Sequence, residues 1–238
     1  MNSIRRFPIL ACFLAGVVLL GMLCSPLRAE KPVALVGGDA YGHSEVKALI
    51  EQVLRQLPDV VYEECGDFLE AESFSGYRLV VLAGENSSRA YTHEEARRIE
   101  EYLRQGGRIL LIRQAPSLFP VLGEASDPKA YYPFGKTVYI QGGVESAVEQ
   151  PDAKILAGAL PGDARPFWLK GNVLLRGQDW EPLIAADGSI LVGQKELESG
   201  RVFYVGSELF RLRGQAGEHG AGDLEGWIAI LKNILSGQ

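Results

Sequence analysis

Three stretches of this chain are apolar at consecutive rather than alternate positions: "PVALVGG" (Pro32 to Gly38), "YRLVVLAGE" (Tyr77 to Glu85) and "RILLI" (Arg108 to Ile112). Successive side chains of a strand point to opposite faces, so a run that is apolar throughout must be covered on both. Strands of that kind belong to a parallel sheet packed between helices, and the chain supplies helices in the intervals. After the first run, Val46, Leu49, Ile50, Val53, Leu54 and Leu57 recur at the i, i+3, i+4, i+7 spacing of one helix face. Before "RILLI" comes "YTHEEARRIEEYLRQGG", in which Thr92 and Glu95 have the spacing of a capping box. Its buried stripe is Ala96, Ile99, Tyr102 and Leu103, and Gly106-Gly107 stops it. "VVYEEC", ending at Cys65, predicts one more strand. The alternation predicts an α/β fold, a doubly wound and mainly parallel sheet with helices on both faces.

The middle of the chain is less regular. "APSLFPVLGEASDPKAYYPFGK" is rich in Pro, Gly and aromatics and predicts loop with one short helix. "TVYI" and "NVLLRG" have strand character. "PLIAADGSILVGQKELESGRVFYVGS" then predicts strand, Asp-Gly turn, strand, Ser-Gly turn, strand, a late β-hairpin. A last helix places Leu224, Trp227, Ile228, Leu231, Ile234 and Leu235 on one face. The chain has 238 residues, enough to bury a core as one domain, and no repeat or second domain is marked.

The first 29 residues stand apart. "MNSIRR" is basic, "FPILACFLAGVVLLGMLC" is apolar, and "SPLRA" is a small, polar end at Ala29. That order predicts a Sec-type signal peptide over residues 1–29, hence export to the periplasm or the medium, and a single domain over 30–238. The apolar run is also close to the length of a membrane helix, so an uncleaved N-terminal anchor is the competing reading, and lipidation at Cys24 is disfavoured by the bulky Leu23. Removing the leader's three arginines takes the formal net charge from −6 to −9. An acidic domain without a Lys/Arg cluster is a poor partner for nucleic acid or an anionic membrane surface. Cys65 then stands alone, without a disulfide partner or a cysteine metal site, and is expected to be a small core residue.

"YRLVVLAGEN", the capped helix running into "YLRQGGRILLI", and the late "DGSILVGQKELESGRVFYVGS" together resemble the class I glutamine amidotransferase-like superfamily, of flavodoxin-like fold. The last piece is most similar to its ThuA-like, non-amidotransferase branch. In amidotransferases of this fold a nucleophilic Cys sits on an elbow after the strand matching "RILLI", and a His and a Glu follow the strand matching "GRVFY". The resemblance therefore implies a thiolate, an imidazole and a carboxylate acting together. Here Arg113, Gln114 and Ala115 occupy the elbow, Pro116 follows, and no Cys or Ser appears before Ser117. Gly206, Ser207 and Glu208 stand where His, Pro and Glu would. Two of the three catalytic groups are gone.

A sheet of this kind binds ligands outside the carboxyl ends of its strands. The loops expected there bring Asp39, Tyr41, His43, Glu85, Asn86, Gln114, Ser207 and Glu208 to one rim, a polar, mildly acidic and tyrosine-containing set suited to a hydroxyl-rich ligand. Plainer roles stand beside each: Asp39 and Ser44 as turn and helix-start acceptors, His43 and His93 as solvated residues, Glu208 as a turn cap, and His219 in a glycine-rich loop that could fold over the rim. No metal or cofactor is expected, since the HxH, HExxH and DxD spacings are missing and "GGDAYG" lacks the order of a phosphate cradle. The sequence thus predicts an exported, non-catalytic domain that binds a small polar ligand, carbohydrate among the candidates, or a protein partner in the cell envelope. The alternative is a carbohydrate-active hydrolase or isomerase using Glu85 or Glu208 as general base with His43 or His219. A third reading is a partner module presenting "PFGKTVYI" and "ARPFWLKG", with Phe167 and Trp168 exposed.

Overall fold

Each consecutive apolar run becomes a strand covered on both sides. In the computed structural model, which describes residues 31–37, 45–66, 72–84, 90–120, 134–159, 167–206 and 221–237, strands β1 (Val33–Val36), β3 (Leu79–Gly84) and β4 (Arg108–Arg113) pair in parallel, β1 with β3 and β3 with β4. The short β2 (Tyr62–Glu64) flanks β1, and β9 (Gly200–Val205) flanks β4, both parallel to their neighbours. Helices α1 (Glu45–Arg55) and α3 (Ala221–Ser236) cover one face of these strands, where Val46, Ile50 and Val53 meet Leu35, Val81 and Leu110, and Trp227, Ile230 and Leu231 join them. Helix α2 (His93–Arg104) covers the other face, with Ala96, Ile99 and Leu103 against Val80, Leu82, Ile109 and Leu111.

The capping box predicted for α2 is formed. The Glu95 amide donates to Thr92 Oγ1 at 3.2 Å, and the Thr92 amide donates to Glu95 Oε2 at 2.6 Å. Glu95 is buried in this arrangement, so the cap also removes a carboxylate from solvent with a partner in place.

Beyond β9 the sheet turns antiparallel. Its full order is β2-β1-β3-β4-β9-β8-β6-β5-β7, with β5 at Lys136–Val148, β6 at Phe167–Arg176, β7 at Glu181–Ala186 and β8 at Ser189–Leu197. β7 pairs with both β5 and β8, and β6 also meets β8, so these four strands curl back on themselves and, among the described residues, leave no edge on that side. β5 and β6 are longer than "TVYI" and "NVLLRG" suggested, because a bulge between Ile140 and Gly143 lets the pairing run past the two glycines. The predicted Asp-Gly turn joins β7 to β8, with φ 49° at Asp187 and 64° at Gly188.

Three expectations are corrected. The sheet is mixed rather than mainly parallel: among the described residues four strand pairings are parallel and five are antiparallel, because the last strands of the sheet order join as hairpins instead of through crossover helices. The turn between β8 and β9 is Glu198–Ser199, with Glu198 at φ 55°, and Gly200 is the first residue of the strand. Glycine is needed there for close approach: a Cβ would lie 2.6 Å from the carbonyl oxygens of both Gly107 and Leu103. Cys65 lies at the margin of the core rather than within it, packed against the cluster that holds Phe74 and Tyr102. It is half-buried beside the edge strand β2, with Sγ 3.7 Å from both the Glu63 carbonyl and the Tyr77 hydroxyl. The middle third supplies the predicted short helix as a 3-10 turn at Ala115–Leu118, and a second at Lys154–Leu156 is held to α3 by Asn233, whose Nδ2 donates to the Ile155 and Ala157 carbonyls at 3.0 and 2.9 Å. Lys31–Gln238 forms one compact unit.

Candidate functional site

The carboxyl ends of β1, β3, β4 and β9 lie side by side, as the pairings Val36 with Leu82, Gly84 with Arg113 and Ile112 with Val205 require. From β1 the chain goes outward to β2, and from β3 it goes the other way to β4, with α1 and α2 on opposite faces. The two connections diverge there, which makes the β1–β3 boundary the topological switch point beside which sheets of this kind bind ligands. The chain leaves β1 through Gly37, β3 at Gly84 and β9 through Gly206. Only β4 ends in a long side chain, Arg113.

Arg113 is the most unusual residue of this edge. Its φ is 52°, the left-handed region that a side chain with a Cβ enters at a cost of about 1–2 kcal/mol. Gln114 returns to helical angles, φ −81° and ψ −6°, and the 3-10 turn begins at once. The strand–elbow–helix turn implied by the resemblance is therefore present in backbone form, with a guanidinium-bearing residue at its apex. The elbow is pinned from the next strand: the buried Tyr204 hydroxyl donates to the Arg113 carbonyl at 3.1 Å. Burial pushes the Tyr204 phenol far above its ordinary value, against a smaller lowering by the Arg113 charge, so the group remains a donor. Arg113 itself is buried, a costly state for a charge unless it is engaged, and it has interactions within the fold.

Ser117, the first hydroxyl past the elbow, is committed to structure. Its Oγ accepts the Thr137 amide at 2.9 Å and lies 2.5 Å from Thr137 Oγ1, fastening the 3-10 turn to the start of β5. An edge-to-face series of Tyr91, Phe119 and Phe134, with centroids 5.0 and 4.7 Å apart, packs behind the same turn. The Tyr91 amide donates to the Leu118 carbonyl at 2.6 Å. These contacts fasten the elbow to β9 and the 3-10 turn after it to β5.

Of the rim residues predicted from sequence, Gln114 is placed at this edge, half-buried at the N-cap of the 3-10 turn, where its carbonyl accepts the Ser117 amide at 2.9 Å. Asp39, Tyr41, His43, Glu85, Asn86, Ser207 and Glu208 lie outside the described residues, as do Ser44 and His219. Glu85 and Ser207 directly follow the described Gly84 and Gly206 in the chain. His93 is exposed on the first turn of α2. The side chains of Phe167 and Trp168 also lie outside the described set. Sequence reading located the elbow at Arg113 but did not count Arg113 or Tyr204 among the site residues. The available signal was an arginine closing an otherwise apolar run at a strand end.

Two other polar clusters have structural explanations. At the β2 edge the Tyr77 hydroxyl donates to Glu63 Oε2 at 2.8 Å, and that bond, followed by burial, pushes its phenol well up. Burial, partly offset by the Tyr77 hydroxyl, raises the Cys65 thiol beside it, which keeps it in its less reactive form. Lys195 Nζ donates to the Gln178 carbonyl at 2.8 Å and lies 3.9 Å from Asp179; burial lowers its ammonium below the ordinary value. Among the described residues no three His, Cys, Asp or Glu side chains converge as metal ligands, and no helix is long and apolar enough to cross a membrane.

No family model matches the chain. No curated protein matches it either. Solved structures do. A protein described as ThuA-like from Bacteroides uniformis superposes with a TM-score of 0.59 at 13% identity, over 87% of this chain and 92% of the other. A second ThuA-like protein, from Parabacteroides merdae, gives 0.57 at 15% identity over 88% and 91%. A β-galactosidase from Bacillus circulans sp. alkalophilus gives 0.56 at 16% identity, over 87% of this chain but 31% of that enzyme, so the likeness there covers less than a third of its length. These likenesses are of fold: a mixed α/β architecture with a large sheet and few helices, shared with ThuA-like proteins.

Proposed function

We propose that this chain is an exported, non-catalytic member of the class I glutamine amidotransferase-like superfamily, of flavodoxin-like fold and close to its ThuA-like branch, and that it binds a small polar ligand at the carboxyl ends of β1, β3 and β4. The observation that carries the reading is the elbow. The position where a nucleophile would be held is occupied by Arg113 in the left-handed conformation, and a guanidinium has no nucleophilic pair to offer. The next hydroxyl along the sequence, Ser117, is bonded to β5, and the Tyr204 hydroxyl donates to the elbow's own carbonyl. Carbohydrate is the favoured ligand class because the polar rim suits hydroxyl groups and because the fold recurs in ThuA-like proteins and in part of a β-galactosidase. Export rests on the basic, apolar and small-polar order of residues 1–29.

The test is a thermal-shift screen of the protein against neutral and acidic sugars, with chromogenic glycosides assayed in parallel. A ligand at about a hundred times its dissociation constant stabilises by roughly 2.7 kcal/mol, which for a chain of this size raises Tm by about 5–10 °C. A sugar-specific shift without turnover supports a binding module. Turnover that disappears in Glu85→Gln or Glu208→Gln replaces it with the carbohydrate-active enzyme. A screen without any shift removes the small-ligand reading and leaves an envelope protein partner.

A further inference from the structure

We draw no further inference here: the strongest candidate, the outer edge of strand β2 (Tyr62–Glu64) beside the exposed Val61, ends the sheet among the described residues, and nothing in the structure shows what covers it.

Discussion

Removing the Tyr204 hydroxyl is the sharpest perturbation of the elbow. Tyr204 is fully buried, so Tyr204→Phe leaves its ring packing in place and removes the 3.1 Å donation to the Arg113 carbonyl. Taking this donor away from a buried carbonyl costs about 1–2 kcal/mol. For a chain of this size that lowers Tm by roughly 3–6 °C. The left-handed backbone at Arg113 gives the experiment a second arm. If the hydroxyl holds the elbow in that conformation, losing it lets residue 113 relax and recovers part of the strain, so the cost in wild type is reduced. In an Arg113→Gly background there is no strain to recover, and the same substitution should cost about 0.5–1 kcal/mol more. Urea unfolding of wild type, the two single variants and the double variant measures the difference, provided the slope with denaturant is unchanged. A Tyr204→Phe loss below about 0.3 kcal/mol would show that the bond does not matter to stability. Equal losses in both backgrounds would show that the bond does not hold the elbow.

Thr92→Ala breaks the capping box at the start of α2 and strands the Glu95 amide; a loss of about 1 kcal/mol in urea unfolding is expected. Gly200→Ala forces a Cβ to within 2.6 Å of two backbone carbonyl oxygens, and since backbone cannot rotate away as a side chain can, destabilisation of about 1–3 kcal/mol is expected by the same measurement. At alkaline pH the phenols of Tyr77, Tyr102 and Tyr204, all raised above the ordinary value of 10.0, hold their protons longer in the folded than in the unfolded chain. Their contribution is fully present below pH 10.0 and is lost as pH climbs through the folded values. Tyr204→Phe should therefore flatten the alkaline decline by up to about 1.4 kcal/mol per pH unit, read from urea unfolding at a series of pH values. Lys195, lowered by burial from 10.5, works in the opposite sense just below that value, and Lys195→Met should make the decline begin at lower pH.

Much of this fold is legible in one dimension because its determinants are local. "VALV" and the "ILLI" of "RILLI" are apolar at every position, and a run of that length beside capped amphipathic helices fits a strand buried on both faces. The Thr92–Glu95 box and the Asp187-Gly188 turn are recognisable for the same reason, since their partners are within three residues. The elbow was locatable too, at the end of "RILLI", although its occupant's importance was not.

Tertiary structure decided what depends on partners far apart in the chain. Cys65 has the sequence surroundings of a core residue, but β2 falls at the sheet edge and the thiol faces Tyr77 instead. Gly200 reads as a turn residue, and only the approach of the Gly107 and Leu103 carbonyls reveals why no side chain fits there. The return of β7 onto β5 as well as β8 is set by register across some forty residues, which no local pattern encodes. Arg113 and Tyr204 are the clearest case: 91 positions apart, they become one device because β4 and β9 are neighbours in the sheet. The sequence by itself determined which segments are strands and helices, through periodicity and capping. The conformation and anchoring of the elbow were decided by strand order, because a hydrogen bond between distant residues exists only once the sheet has brought them together.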